Sequence, residues 1–156
     1  MKQGLGTQLR HLIELLDGDV ALAYEEAGLA YRPRYTPVMR VLGLHGQAAI
    51  GEIASYAGIT QPAATQTVAL MKKEGLVEVV AGQDSRQRLV TLSAAGKSML
   101  PRLQRCWAAT SAAAASLDAD VAHPLSATLA QAILALQERP FIERIRAAAS
   151  TTGEPS

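Results

Sequence analysis

The sequence has little cysteine, few aromatic residues and no long apolar run. Its one cysteine, Cys106, rules out an intramolecular disulfide and fits a reducing cytoplasm. A membrane span needs about 18 or more uncharged apolar residues in a row, and the sequence has no such stretch. Residues 1–6 also lack the apolar run and cleavage site of a signal peptide. We therefore expect a cytoplasmic protein that does not contact a membrane.

Residue patterns that support catalysis or metal binding are missing as well. His11, His45 and His123 are scattered and do not have metal-ligand spacing. We find no Ser/His/Asp set, no glycine-rich phosphate loop and no carboxylate pair, so we expect no enzyme activity, no metal and no cofactor. Cys106 beside Trp107 is interpreted as a buried small apolar residue, with a thiol sensor as the alternative.

Aromatic residues make up 4% of the chain and hydrophobic residues 49%, which predicts an aliphatic, alanine-rich helical core. Charge is unevenly distributed although the net charge is only +1. Residues 32–105 contain ten Lys and Arg against four Asp and Glu, whereas the two flanks together contain five against ten. A basic centre between acidic ends is typical of a polyanion-binding core with solvated outer helices. Chance segregation on an ordinary surface is the alternative.

Apolar periodicity and capping residues predict four helices in the first half of the chain. Asp17-Gly18-Asp19 weakens the middle of the first helix, Thr36 resembles the N-cap of the second, and Thr60 that of the fourth. Gly58 is expected to end the third helix in a left-handed conformation. The predicted helices cover residues 3–30, 36 to between 43 and 46, 48–56 and 60–74.

Two short strands follow, over 76–80 and 88–92, with a charged tip at 81–87. Helix, turn, helix and β-hairpin in this order predict a mainly α fold with a small β-hairpin wing, a winged helix-turn-helix. Ser93 is expected to cap a helix that reaches about residue 115. The remaining expected features are a loop at 117–123, helices at 124–138 and 141–149, and a disordered tail at 151–156.

A helix that reads bases needs short polar side chains near its N-terminus, and glutamine can pair bidentately with adenine. Arg86 at the tip is suited to a narrow minor groove, and Asp84 is expected to hold its guanidinium in place. The remaining cations and hydroxyls are expected to contact phosphates. The predicted DNA-binding residues are Thr36, Thr60, Gln61, Thr65, Gln66, Lys72, Lys73, Arg86 and Arg88.

Several motifs in this region resemble the multiple-antibiotic-resistance-regulator (MarR) family of bacterial transcription regulators. They are Ile53-Ala54, Ile59-Thr60-Gln61-Pro62, Glu74-Gly75-Leu76-Val77, Asp84-Ser85-Arg86, and Val90-Thr91-Leu92-Ser93 with Gly96. The resemblance implies a homodimer formed through helices of 1–34 and 117–150. It also implies a winged domain at 35–100, a connecting helix at 101–116, a pseudo-palindromic double-stranded DNA operator and, in many members, a small aromatic or phenolic effector.

Tyr24, Tyr35, Arg40 and His45 are candidates for lining an effector crevice, with ordinary interface packing as the alternative. The chain departs from the family where a basic residue is common, at Gln66 and near Leu70, which predicts weaker and less salt-dependent binding. The function we predict is a DNA-binding transcription regulator that acts as a repressor. The alternatives are a winged-helix assembly module that does not bind DNA, and a small-molecule carrier or enzyme on this fold.

Overall fold

The computed structural model describes residues 4–152, which form a mainly helical protein with one small antiparallel sheet. Contacts divide the chain into two compact units, one ending at Ala108 and the other beginning at Ala109. No helix within residues 4–152 is both long enough and apolar enough to cross a membrane. The elements are α1 (Leu5–Glu26), a 3-10 turn (Pro33–Tyr35), α2 (Thr36–His45), β1 (Gln47–Ala48), α3 (Ile50–Ala57), α4 (Gln61–Lys73), β2 (Val77–Ala81), β3 (Arg88–Leu92), α5 (Ala94–Asp120), α6 (Leu125–Glu138) and α7 (Phe141–Thr152).

Helix α1 is continuous through Asp17-Gly18-Asp19 and ends at Glu26, four residues earlier than the periodicity predicts. Gly28 follows with a φ of +69°, and the guanidinium of Arg102 in α5 donates to the Ala27 carbonyl at 2.7 Å. This bond satisfies one of the carbonyls left unpaired at a helix end. The prediction that Thr36 is an N-cap is wrong. The 3-10 turn leads directly into α2, so Tyr35 is the N-cap and Thr36 the first helical residue.

The helix-turn-helix is formed by α3 and α4, which contact each other. Gly58 ends α3 with a φ of +66°, and the Thr60 hydroxyl accepts the Ala63 N–H at 3.2 Å to cap α4. Both predictions are therefore confirmed. Ile53 on α3 and Met71 on α4 are completely buried, because the two helices pack their apolar faces into the common core.

The wing is the β2–β3 hairpin, in which Val77 pairs with Leu92 and Val79 with Val90, as the period of two predicts. The sequence analysis missed β1, a two-residue strand at Gln47–Ala48 that pairs with β3 and gives the order β1-β3-β2. A strand this short has no periodicity to detect, because its pairing partner is supplied by distant sequence.

The core of the first unit is less aliphatic than the composition indicates. Tyr24, Tyr31, Tyr35 and Trp107 are all buried in it, together with the expected Val, Leu, Ile and Met side chains. Four aromatic residues are a small share of the sequence, but each of them has a large area to bury. The composition therefore underestimated their part in the core.

In the second unit α5 continues to Asp120, so the loop expected at 117–123 is reduced to residues 121–124. Asp118 accepts hydrogen bonds from the backbone N–H and the hydroxyl of Ser126, in the first turn of α6. The Arg144 guanidinium of α7 donates to the Ala135 carbonyl of α6 at 3.1 Å. Helix α7 includes residues 151 and 152, which corrects the disordered tail expected there, and residues 153–156 lie outside the described residues.

Candidate nucleic-acid interface

Helix α4 has one buried face and one exposed face. Ala64, Val68 and Met71 lie at helical spacing and are buried together with Thr67. The exposed residues lie on the opposite side and include no acidic side chain. They are Gln61, Pro62, Thr65, Gln66, Ala69, Lys72 and Lys73. The polar side chains expected to read bases therefore lie on one surface, which also contains Pro62 and Ala69 that the sequence analysis did not select.

Two of the residues on α4 have local roles that limit what they offer to DNA. The Thr65 hydroxyl donates to the Gln61 carbonyl at 3.0 Å, so Thr65 presents a methyl group and an acceptor oxygen. Leu70 is half-buried and packs against the core. The lack of a basic residue at Leu70 is therefore explained by packing. Gln66, in contrast, is exposed, so its lack of charge makes the exposed face of α4 less positive.

Lys72 and Lys73 occupy the last turn of α4 and are exposed. Cations are favourable at this position because the helix dipole makes the C-terminus partly negative. The two lysines thus place positive charge at the opposite end of α4 from Gln61.

The wing tip is a tight turn held by its own backbone. Gly82 N–H donates to the Gln87 carbonyl at 2.8 Å, and Gln87 N–H donates to the Asp84 carbonyl at 2.9 Å. The Asp84 carboxylate accepts the backbone N–H of Arg86 at 3.1 Å. Among residues 4–152 no ion pair joins Asp84 to the Arg86 guanidinium, so the expected charge-assisted bond is replaced by a backbone contact. Arg86 and Arg88 are both exposed.

Thr36 is less exposed than the polar residues selected on α4 and the wing. It is half-buried, and its hydroxyl oxygen accepts a hydrogen bond from the Tyr31 hydroxyl at 3.2 Å. The Tyr24 hydroxyl is 3.5 Å from the same oxygen. These contacts give Thr36 a structural role inside the first unit, and its expected contact with phosphate stays a prediction.

The aromatic residues near Thr36 form a group that we call the tyrosine cluster: Tyr24, Tyr31, Tyr35 and Trp107. Tyr31 makes edge-on contacts with Tyr24 and Tyr35, with ring centroids 4.8 and 5.7 Å away, and the Trp107 indole N–H donates to the Tyr24 hydroxyl at 3.0 Å. Burial raises the pKa of the Tyr31 phenol far above its usual range. The cluster therefore joins α1, α2 and α5 with buried rings.

The four candidate effector residues lie in different surroundings, and their part in an effector crevice stays a prediction. Tyr24 and Tyr35 are buried in the tyrosine cluster, and the Arg40 guanidinium lies 4.6 Å above the Trp107 ring. His45 stacks on Tyr56 of α3, with ring centroids 4.3 Å apart. Sequence reasoning did not identify Tyr31 and Trp107 as the residues that pack with Tyr24 and Tyr35. The spacing of Tyr24, Tyr31 and Tyr35 by seven and four residues was the available signal for part of the cluster.

Other chemistry has little support in the described residues. Within residues 4–152 no three His, Cys, Asp or Glu side chains are grouped closely enough to hold a metal ion. Cys106 is half-buried and packs against the core beside Trp107, so it is less enclosed than the sequence analysis expected.

The order of elements, the sheet topology and the exposed face of α4 define the class of the protein as a winged helix-turn-helix. Residues 28–88 match the model of the MarR family, in agreement with the resemblance of the motifs that lie within this segment. Among curated proteins none matches the chain.

Solved structures with similar folds extend the likeness beyond this segment. The transcriptional regulator MOSR of M. tuberculosis, solved in complex with DNA, has 21% identity and a TM-score of 0.61, with 97% of this chain and 100% of that chain covered. The MarR-family regulator SPO1453 of Silicibacter pomeroyi has 22% identity and a TM-score of 0.60, covering 85% and 94%. NadR, solved with 4-hydroxyphenylacetate, has 18% identity and a TM-score of 0.54, covering 89% and 95%. At these identities the likeness establishes the fold.

Proposed function

We propose that this protein is a sequence-specific double-stranded DNA-binding transcription regulator that acts as a repressor in the cytoplasm. One observation carries the proposal. The exposed face of α4 has no acidic residue and presents Gln61, Thr65 and Gln66 between the turn and two lysines. Glutamine amides suit adenine, and the methyl of threonine suits thymine, at the floor of a major groove.

The wing supports the same proposal from a second element. Arg86 and Arg88 are exposed on a hairpin whose tip is fixed by backbone hydrogen bonds. A guanidinium on a well-ordered turn loses less conformational entropy when it binds than one on a disordered loop. Arg86 then reads the minor groove, and Lys72, Lys73 and Arg88 contact phosphates. DNA in the MOSR structure is consistent with this use of the fold.

Exposed apolar side chains support a homodimer. In α6 and α7 no residue is buried, and many large apolar side chains on α1, α6 and α7 are at least one-third exposed. Apolar surface of this extent is unusual on a monomer and marks an interaction surface. The exposed residues are Leu5, Ile13, Leu15, Leu16, Leu22, Leu129, Ile133, Leu134, Leu136, Phe141, Ile142 and Ile145. We therefore propose that α1, α6 and α7 bury these side chains against a second copy, which places two winged domains on a pseudo-palindromic operator.

A small phenolic or other aromatic effector fits the same proposal. NadR holds 4-hydroxyphenylacetate in a structure of the same fold. In this chain the tyrosine cluster joins α1, α2 and α5, and Arg40 lies at its surface over Trp107. A ligand carboxylate at Arg40 is compatible with the charge there, and displacement of the guanidinium from Trp107 would change the fluorescence of that indole.

The proposal is tested by selecting bound sequences from random duplexes and then measuring affinity for the selected duplex by fluorescence anisotropy at several salt concentrations. Lys72, Lys73 and Arg88 give six phosphate-contacting cations in a dimer. If all six neutralise phosphates, log K falls with log salt with a slope of about −5. If no sequence is enriched, or if affinity does not change with salt, the result would favour the alternative of a winged-helix assembly module that does not bind DNA.

A further inference from the structure

The recognition helix α4 ends at an ion pair that the DNA-reading residues do not use. The Arg32 Nε donates to Glu74 Oε1 at 3.0 Å, and the Arg32 Nη2 lies 2.9 Å from the same oxygen. Arg32 belongs to the segment between α1 and α2, whereas Glu74 is the C-cap of α4. The contact therefore joins two parts of the domain that are 42 residues apart in sequence.

Glu74 is not needed to finish the helix. The backbone N–H groups of Glu74, Gly75 and Leu76 donate to carbonyls in the last turns of α4, and Gly75 ends the helix with a φ of +78°. A carboxylate at a helix C-terminus is unfavourable because it lies at the negative end of the dipole. The bond with Arg32 offsets that cost and accounts for an acidic residue at this position.

Tyr35 lies on the buried side of this pair. Its side chain is completely buried, and its hydroxyl approaches the Glu74 carboxylate without making a well-aligned hydrogen bond to any residue among 4–152. Burial raises the pKa of the Tyr35 phenol, and the Glu74 carboxylate raises it further. The Glu74 carboxylate thus has a guanidinium as its hydrogen-bonding partner and a neutral, buried ring nearby.

We propose that Arg32 and Glu74 form a positioning pair that holds the C-terminal end of α4 in the orientation in which its N-terminal residues read DNA. This inference rests on the proposed DNA-binding function. Helix α4 has 13 residues, which at 1.5 Å per residue is about 20 Å, so a tilt at Glu74 displaces Gln61 at the other end. Base reading depends on side-chain position within fractions of an ångström, whereas phosphate contacts tolerate small shifts.

The test compares Arg32→Glu, Glu74→Arg and the double variant, which restores an ion pair with the charges exchanged. The readout is the specificity ratio, the affinity for the selected duplex divided by that for a scrambled duplex of equal length. We expect each single change to lower the ratio about threefold to fivefold, the upper range for an exposed ion pair, and the double variant to return within about twofold of wild type. Glu74→Arg is decisive because, if only the electrostatic field matters, its added positive charge should tighten binding to both duplexes and leave the ratio unchanged.

Arg34→Glu is the matched control, since Arg34 is an exposed arginine two residues from Arg32. It changes the charge by the same amount and should leave the ratio unchanged. The inference is overturned if Arg34→Glu and Arg32→Glu lower the ratio equally, or if the double variant does not recover.

Hydrogen exchange in the absence of DNA separates this inference from the proposed function. The amides of Glu74, Gly75 and Leu76 should exchange faster in both single variants and recover in the double variant, because these amides report the end of α4. If the wild-type protein prefers no duplex, the proposed DNA-binding function is wrong, and the pair has no role in base reading. Exchange then still decides whether the pair holds α4. If the single variants exchange these amides at the wild-type rate, the pair does not hold the C-terminal end of α4.

Discussion

Two glycines in the first turns of their helices should respond in opposite directions to replacement by alanine. At Gly96 in α5, an added Cβ would lie 2.3 Å from the Leu76 carbonyl oxygen and 3.4 Å from the Leu92 Cβ. That oxygen also accepts the Ser93 N–H at 3.0 Å, so it is backbone that cannot rotate away. At Gly51 in α3, nothing lies within 4 Å of the added Cβ. Neither glycine has a positive φ, so the difference between them is one of space and not of backbone conformation.

The magnitudes follow from packing and helix propensity. Forcing a methyl group into close-packed backbone costs about 1–3 kcal/mol, and alanine recovers about 0.5–1 kcal/mol of helix propensity. Gly96→Ala should therefore lower the free energy of unfolding by about 1–2 kcal/mol, whereas Gly51→Ala should raise it by about 0.5 kcal/mol.

Urea unfolding at equal protomer concentration measures both variants, since an oligomer's stability depends on concentration. If Gly96→Ala is as stable as Gly51→Ala, then α5 does not pack on the base of the wing as closely as the structure indicates.

Three further changes test the wing, the dimer and the second unit. Arg86→Ala should weaken binding to the selected duplex by about 1–3 kcal/mol in an anisotropy titration, and unchanged affinity would remove Arg86 from the interface. Ile133→Lys should shift sedimentation at micromolar concentration from dimer towards monomer, whereas a wild-type protein that already sediments as a compact monomer would end the dimer proposal. Hydrogen bonds from Ser126 lower the pKa of Asp118 below its unfolded value, so its stabilising contribution is present above that value and disappears as pH falls through the lower, folded pKa. The urea midpoints of wild type and Asp118→Ala should therefore differ near neutral pH and converge in acid, and a constant difference would contradict the role of Asp118.

The features that the sequence predicted well depend on local interactions. Thr60 caps α4 through a hydrogen bond to a residue three positions away, and Ser93 caps α5 by accepting the Gly96 N–H at 3.1 Å. Gly58 ends α3 because a left-handed backbone favours glycine. Interactions of this kind are encoded in a few consecutive residues, so the helix-turn-helix and the hairpin could be located from the sequence.

The features that the sequence analysis missed depend on residues far apart in the chain. The bond from Trp107 to Tyr24 spans 83 residues, and it is one of the contacts that bury Tyr24 in the core. Thr36 has the right neighbours for an N-cap, but the 3-10 turn before it moves the start of the helix. Leu70 shows the same limit, since only the packing of α4 on the core shows that a basic residue would have been half-buried there.

On the exposed face of α4, the residues that we propose for affinity are separate from those that we propose for specificity. Lys72 and Lys73 lie in its last turn, while the uncharged Gln61, Thr65 and Gln66 lie in its first two turns. Phosphate contacts govern affinity and its salt dependence, whereas base contacts govern discrimination. Lys72→Ala should therefore weaken binding to selected and scrambled duplexes alike, and it should reduce the salt slope by about 1 for each phosphate that is no longer neutralised.

Gln66→Ala is the complementary change on the same helix. It removes an amide and no charge, so it should relax the preference among bases and leave the salt slope unchanged. Selection from random duplexes with each variant distinguishes the two effects, because only Gln66→Ala should change the enriched sequence. If Gln66→Ala instead lowered affinity equally for all duplexes, Gln66 would be contacting the backbone. Gln61 and Thr65, nearer the N-terminus of the helix, would then be the residues left to read bases.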